Sequence, residues 1–578
     1  MNENTAAIPI RMMETVFNSS HAVSLIAGSD THMPAFHFIG EVLPFTQSVA
    51  WISEIVAGYL PSDYKGNTLA EIPGMVADSI KNGYTTPKVN TKPSSAADVG
   101  LSLVRGSEIV LFHTAQNIAF MAVTSPEHGT VCHPIRSDAT RGLIRLRYHR
   151  STGKTISKEA LAEIIDLIEA EAIFEASEEE VHIRIAGVAD ATYYDLGQPE
   201  GTVVEITSTG WTVVHNPPVY FYRPNGFGIQ IAPKAGGNLK ALRELLQLDD
   251  KNWVLFLAFL LVSLKPTHPY MALLISGAYG SGKSKVSELI RRIVDPNALE
   301  KHRLPKDEHT LAIQAAMSRM LVYDNASAVR WDISDALCAM LTGGGFSTRK
   351  YYTDDEQRMF KNARPLIING IGEFASQHDL LDRSIVLNLP AIPEGARRTE
   401  KAINSRFDEI LPGILGCLFD IVSTALRRFD EVEPPTTVRM ADSAQWLIAA
   451  EPATGLPDGT FIRVLEASVK EAKIENTVNH PLVRKILQIL DMQTAKRIYE
   501  GTVGDLHDKL KDSYERLPPQ LPQTPAHLSN ALQRLTPGMK EIGIMVELQQ
   551  RTNRARPLRI WVEETELTPE QDSIAKRI

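Results

Sequence analysis

One eight-residue stretch limits this chain more than any other feature. Gly277-Ala278-Tyr279-Gly280-Ser281-Gly282-Lys283-Ser284 has the pattern GxxxxGK[ST]. An apolar strand (271–276) precedes it and an amphipathic helix (283–293) follows. Glycines let backbone N–H groups turn inward around phosphate oxygens, and the helix N-terminus adds a favourable dipole. The pattern predicts a nucleotide held by Gly277, Tyr279, Gly280, Ser281 and Gly282. Lys283 then reaches the β- and γ-phosphates, and Ser284 ligates Mg²⁺.

Composition bears on what surrounds this loop. The chain has 578 residues, enough for three or four domains, with 60 Lys+Arg against 69 Asp+Glu and a net charge of −9. That excludes a uniformly basic coat for nucleic acid and leaves room for local basic patches. The three cysteines, Cys132, Cys338 and Cys417, form no CxxC pair, so a disulfide scaffold or zinc ribbon is not expected. The N-terminal residues have no basic segment followed by an apolar one, so no secretory signal is read. The longest apolar run, Trp253 to Leu264, has 12 residues. A span needs about 20, so a buried helix ended by Pro266 is expected, and a cytoplasmic protein without membrane contact.

Further apolar strands carry polar tips. Met320-Leu321-Val322-Tyr323 ends in Asp324-Asn325, 41 residues after Lys283. Asp324 at such a tip can hold Mg²⁺ through water. Asn325 stands where many ATPases have a glutamate that polarises the attacking water, which leaves the catalytic base unassigned. Pro365-Leu366-Ile367-Ile368 ends in Asn369, whose amide could orient water or simply open a turn before Gly370. Leu380-Leu381-Asp382-Arg383 precedes a strand at 384–389. The Arg383 guanidinium could offset transition-state charge on a neighbouring subunit's nucleotide, or form a salt bridge within its own chain.

Outside this region the signals are coarser. Asp30 and His32 lack a third ligand and read as a solvated turn. Residues 85–98 read as a linker. The run 141–154 holds Arg141, Arg145, Arg147, Arg150 and Lys154, a nucleic-acid patch or a solvated helix face. TVVEIT, WTVVH, VYFYR and IQIAP within 187–233 read as strands, and 238–247 and 400–428 as helices. Residues 501–510 and 524–543 read as helices before a two-stranded wing at 544–562. That wing carries Arg551, Arg554, Arg556 and Arg559, suited to clamp phosphates without reading sequence.

The order of these pieces resembles superfamily 3 helicases and related AAA+-like P-loop ATPases of phages and mobile genetic elements. LTGGGFSTRKYYTDDEQRMF (341–360) resembles the family's glycine-rich turn and basic β-hairpin, with Arg349 and Lys350 implied to grip DNA. Asn369 matches the asparagine motif, and Arg383 sits where such rings carry an arginine finger. Gly345, where an aspartate is common, and Asn325 depart from the pattern.

The expected fold is multidomain α/β: a P-loop AAA+-like ATPase core, a β-rich domain before it and a C-terminal winged helix. The expected divisions are an N-terminal domain (1–90), an α+β accessory domain (100–235), the ATPase core (236–395), a helical lid (396–475) and the winged helix with tail (476–578). The resemblance implies an ATPase using ATP and Mg²⁺, with Lys283, Asp324, Asn325, Asn369 and Arg383 at the catalytic site. It implies a homo-oligomeric ring, a hexamer, acting as helicase or translocase on single-stranded or forked DNA in mobile-element replication or anti-phage defence. The N-terminal domain would recruit a primase or effector. The alternative is a nucleotide-dependent switch or protein remodeller that does not translocate DNA. A small-molecule kinase would leave the hairpin and winged helix without purpose.

Overall fold

The computed structural model describes residues 25, 32–43, 48–62, 64–81, 95–125, 129–344, 346–349, 357–360, 362–370, 378–492, 497–518, 521–550 and 556–563. The chain forms two compact units, Met1–Val99 and Gly100–Ile578. In the first, helices α1 (His32–Val42), α2 (Val49–Tyr59) and α3 (Thr68–Lys81) share one apolar core. Ile52 and Val56 of α2 and Ile72 and Val76 of α3 are buried at helical i, i+4 spacing. Asp30 and the side chain of His32 lie outside the described residues.

The second unit begins with an antiparallel meander, β1 (Ile109–His113), β2 (Ala119–Ser125) and β3 (Gly129–Pro134). Helices α4 (Asp138–Thr152) and α5 (Lys158–Phe174) follow. The basic run falls largely in α4 and is partly engaged. Arg147 donates to the Leu103 carbonyl and pairs with Glu108 at 2.7 Å, and Arg141 pairs with Asp138. Arg145, Arg150 and Lys154 are exposed.

Next comes a four-stranded antiparallel sheet in chain order, β4 (Ile185–Val188), β5 (Ala191–Asp195), β6 (Thr202–Thr207) and β7 (Gly210–His215). Two expected strands are corrected here. Val219–Arg223 pairs only at Tyr220–Phe221, and Ile229–Pro233 joins no ladder. The second segment is instead fastened to the core by Gln230, whose amide donates to the Arg292 and Ile293 carbonyls. A backbone held by side-chain and irregular bonds has no need of a strand partner.

Helix α6 (Asp250–Leu264) is buried from Asn252 to Leu264, so the apolar run is a core helix as expected. Asp249 caps it, accepting from the Asn252 N–H at 2.7 Å. It packs against a four-stranded parallel sheet built from β8 (Ala272–Gly277), β9 (Leu321–Ala326), β12 (Leu366–Gly370) and β13 (Ser384–Leu389). The strand order is β9-β12-β8-β13. Helix α7 (Lys283–Val294) follows β8, and α8 (Glu308–Ala316) precedes β9. Helix α9 (Trp331–Thr342) leads into an antiparallel hairpin, β10 (Phe346–Arg349) and β11 (Gln357–Phe360). Short helix α10 (His378–Leu381) stands between β12 and β13. Parallel strands covered on both faces read as near-continuous apolar runs, and ALLISG, LVYDNA and LIING do so up to their polar tips.

Helices α11 (Glu400–Arg428), α12 (Ala441–Ala450) and α13 (Thr460–Asn479) close the core. Residues Glu400–Glu431 are long and apolar enough to cross a membrane by length and composition. Here Phe407, Leu411, Ile414, Leu415, Leu418 and Phe419 are instead buried in the same core as the parallel sheet. The β4–β7 sheet shares that core, and Ser423 and Arg427 of α11 donate to the Thr207 and Ser208 carbonyls.

The chain then forms α14 (Pro481–Met492), β14 (Ile498–Thr502), α15 (Val503–Asp512), α16 (Pro525–Glu541), β15 (Ile544–Leu548) and β16 (Pro557–Val562) around a separate apolar core. Its sheet order is β14-β16-β15, all antiparallel. β14 corrects the reading of 501–510 as wholly helical: Gly501-Thr502 end a strand, and Thr502 with Asp505 makes a capping box that starts α15.

Candidate functional site

The site is built where β8 ends. Gly277 has φ +145° and a Cβ there would lie 2.3 Å from the Leu389 carbonyl oxygen, so only glycine lets the loop leave the sheet. Gly282, at φ +84°, turns the chain into α7. Lys283 then lies in the first turn, and its ammonium donates to the Gly277 and Ala278 carbonyls, both at 2.8 Å. Burial pulls its pKa below the ordinary lysine value, and the Asp324 carboxylate opposes that shift. Ser284 donates its hydroxyl proton to Asp324 Oδ1 at 3.0 Å. A parallel sheet brings its strand tips to one edge, so Asp324 meets Ser284 although the two lie on different elements.

Asn369 is 1% exposed at the tip of β12, between the other two strands. Its Oδ1 accepts from the Asn325 N–H at 2.9 Å, and its Nδ2 donates to Ser287 Oγ at 3.1 Å. Ser287 in turn donates to the Lys283 carbonyl. The amide thus ties the carboxylate strand to the loop helix. Asn325 has φ +57°, where β12 and β9 lose register, and its side chain is exposed. Asparagine tolerates that left-handed conformation better than glutamate does.

Arg383 is set back from this cluster. Its guanidinium pairs with Asp379 at 2.5 Å and donates to the Asp379 carbonyl at 2.9 Å. Asp379 also takes Arg439 at 2.7 Å. Arg349 ends β10 of the hairpin, and Lys350 lies outside the described residues. In the wing, Arg551 and Arg554 also lie outside them. The other two arginines are engaged. Arg556 donates to Ser529 Oγ at 2.6 Å and to the Gln549 carbonyl, and Arg559 pairs with Glu500 at 3.2 Å above the Trp561 ring.

Several site residues escaped the sequence reading. Lys301 places its ammonium 3.7 Å from Asp324 Oδ2, because 302 pairs beside Tyr323 as an edge bridge. No motif marks it. A Cβ on Gly280 would lie 3.2 Å from the Arg397 guanidinium. Beside the loop, a cavity of about 150 Å³ is lined by Leu246, Leu248, Val286, Ile392 and Ile403 together with Ser281 and Gly282. The leucine cluster 245–248 was legible as a helix end but carried no sign of facing the loop.

Comparison with known families locates these elements. Residues 242–470 match the family of actinomycete integrative conjugative element replication proteins. Residues 483–571 match the C-terminal domain of the same protein, designated RepA. These are the regions of a mobile-element replication protein. In this replication protein the first region holds the glycine-rich loop, Asp324, Asn369 and Arg383, and the second holds the β14–β16 sheet with α15 and α16. No curated protein matches the chain. Two solved structures of the NrS-1 C-terminal region, both A-form and apo, are similar at 12% identity over 81% of this chain and 99% of theirs, with TM-scores of 0.33 and 0.31.

The residues present suit a magnesium–triphosphate group. The Ser281 hydroxyl is buried in the loop without a hydrogen-bond partner among the described residues, an acceptor or donor left for a ligand. No cluster of three or more His, Cys, Asp or Glu occurs among the described residues. Mg²⁺ in triphosphate sites takes one or two protein oxygens and otherwise phosphate and water, which Ser284 and Asp324 can supply.

Proposed function

We propose that this replication protein is an ATP-dependent motor that acts on DNA, with an AAA+-like core of the superfamily 3 kind, a C-terminal winged helix and a hexameric ring as its working form. The observation that carries the reading is the Ser284–Asp324 contact of 3.0 Å at the mouth of the Lys283 loop. Three groups from two elements converge where a triphosphate would end. Lys283 would leave the Gly277 and Ala278 carbonyls for the β- and γ-phosphates, and Ser284 and Asp324 would hold Mg²⁺. The metal would neutralise charge on the bridged phosphate oxygens. Asn369 holds Asn325 and α7 in register, so a change in the loop is felt at the tip of β9. The apolar cavity beside Ser281 and Gly282 suits a nucleobase.

The hairpin β10–β11 stands between α9 and β12, and Arg349 at its end is the described group suited to a DNA strand. Single-stranded DNA is expected to raise the ATPase rate, and Arg349→Ala/Lys350→Ala to remove that stimulation while leaving basal hydrolysis. A rate indifferent to DNA would favour the switch or remodeller.

One observation favours that second reading: Arg383 is tied to Asp379 in its own chain. If Arg383 works in trans, Asp379 positions it, and Arg383→Ala subunits mixed with wild type should depress activity out of proportion to their fraction. Arginine fingers contribute about 10³-fold or more. Strictly proportional loss would assign Arg383 to an internal salt bridge.

A further inference from the structure

We infer that α16 reads DNA sequence: its solvent face is a base-contacting surface for the major groove of a duplex, which gives this protein a site-specific DNA-binding activity separate from its ATP site. The helix is sharply two-faced. Leu528, Leu532 and Met539 are buried against the C-terminal core, whereas His527, Asn530, Gln533 and Arg534 are exposed over its first three turns. These four side chains make no hydrogen bond or ion pair among the described residues.

Their chemistry selects the occupant. A face meant for phosphates is rich in Lys and Arg, whereas this one holds one arginine among three neutral hydrogen-bonding groups. Asn and Gln can bond adenine in bidentate fashion through N6 and N7, and Arg can bond guanine through O6 and N7. Asn530 and Arg534 are four residues apart and so lie one above the other on a single ridge, with His527 one turn before Asn530. The helix starts cleanly, with Thr524 accepting from the His527 N–H and Pro525 at its first position. A groove about 12 Å wide admits such a helix.

The neighbouring strands brace this face rather than compete with it. Arg556 at the root of the wing is spent on Ser529 of α16, and Arg559 is spent on Glu500. The two described wing arginines therefore fix the helix against the sheet and are not free for phosphate, which moves the weight of recognition from the wing to α16.

The test uses the full chain without nucleotide, so that failure of the motor reading does not bear on it. The probe is a pool of DNA duplexes with a random central block of about 20 base pairs, selected for binding and sequenced. Affinities for the enriched and a scrambled duplex are then measured by fluorescence anisotropy. The wild type is expected to enrich one motif, and Asn530→Ala/Arg534→Ala to lose preference for it by roughly 5- to 150-fold per contact. Affinity for the scrambled duplex should fall far less, with a salt slope changed by at most about 0.9, the share of one charge. His527→Ala, also on the exposed face, should relax the motif at one end and guards against a fold defect in the double variant. If no motif emerges, or the double variant keeps the wild-type preference, the inference is overturned and the face belongs to a protein partner.

Discussion

Lys283→Ala is expected to reduce ATP hydrolysis by at least about 10²- to 10³-fold, the cost of deleting one preorganised charged donor from a site where charge develops. The ammonium sits in the first turn of α7 and bonds only the Gly277 and Ala278 carbonyls of its own loop. Those carbonyls lie in a partly exposed loop and can turn to water, so loss of the side chain should leave thermal unfolding close to wild type. The measurement is steady-state phosphate release beside a melting curve on the same preparation. Wild-type turnover would remove the active-site assignment, and a large fall in melting temperature would mean that the lysine is structural.

Asp295→Ala is expected to destabilise the second unit by about 3–5 kcal/mol, the range for removing one partner of a buried ion pair. Asp295 is 0% exposed at the end of α7. Its Oδ1 accepts from Arg184 Nε at 3.3 Å, and its Oδ2 from the Arg319 and Met320 backbone N–H groups at 3.0 and 3.2 Å. Arg291 lies 3.9 Å away, and burial already pulls its pKa below the ordinary arginine value. Without the carboxylate, two buried guanidinium groups and two N–H donors lose their acceptor. Asp295→Asn keeps an acceptor and should recover part of the loss. Urea unfolding of the three proteins checks this, and wild-type stability in Asp295→Ala would mean that water replaces the carboxylate.

Asp295 also shows where sequence reading stops. The glycine-rich loop, the three polar strand tips and the buried Trp253–Leu264 helix were legible because each follows from a local pattern: turn glycines, apolar runs and helical spacing. Arg184 and Asp295 were not, since 111 residues separate them and neither belongs to a motif. The same holds for Lys301 against Asp324 and for Arg397 over Gly280. Ile229–Pro233 was misread for a related reason. Its alternation suits a strand, but Gln230 fixes it to α7 and no partner strand runs beside it.

The wing arginines mark the boundary between composition and geometry. Four arginines between Gln549 and Ile560 without an acid suggest a phosphate clamp, yet Arg556 and Arg559 are held by Ser529 and Glu500. Charge is counted along the chain, but its availability depends on what the fold sets beside it. The sequence by itself determined the phosphate loop, because backbone conformation there is dictated by glycine and by the residues that must touch a ligand. It also determined which strands are buried, because a parallel sheet covered on both faces demands apolar runs. Only the tertiary structure decided that Asn369 joins Asn325 to Ser287, that Arg383 rests on Asp379, and that α16 turns His527, Asn530, Gln533 and Arg534 outward. Those outcomes depend on hydrogen bonds and packing between elements far apart in the chain, whose partners are chosen by strand order and helix rotation rather than by any neighbour in sequence.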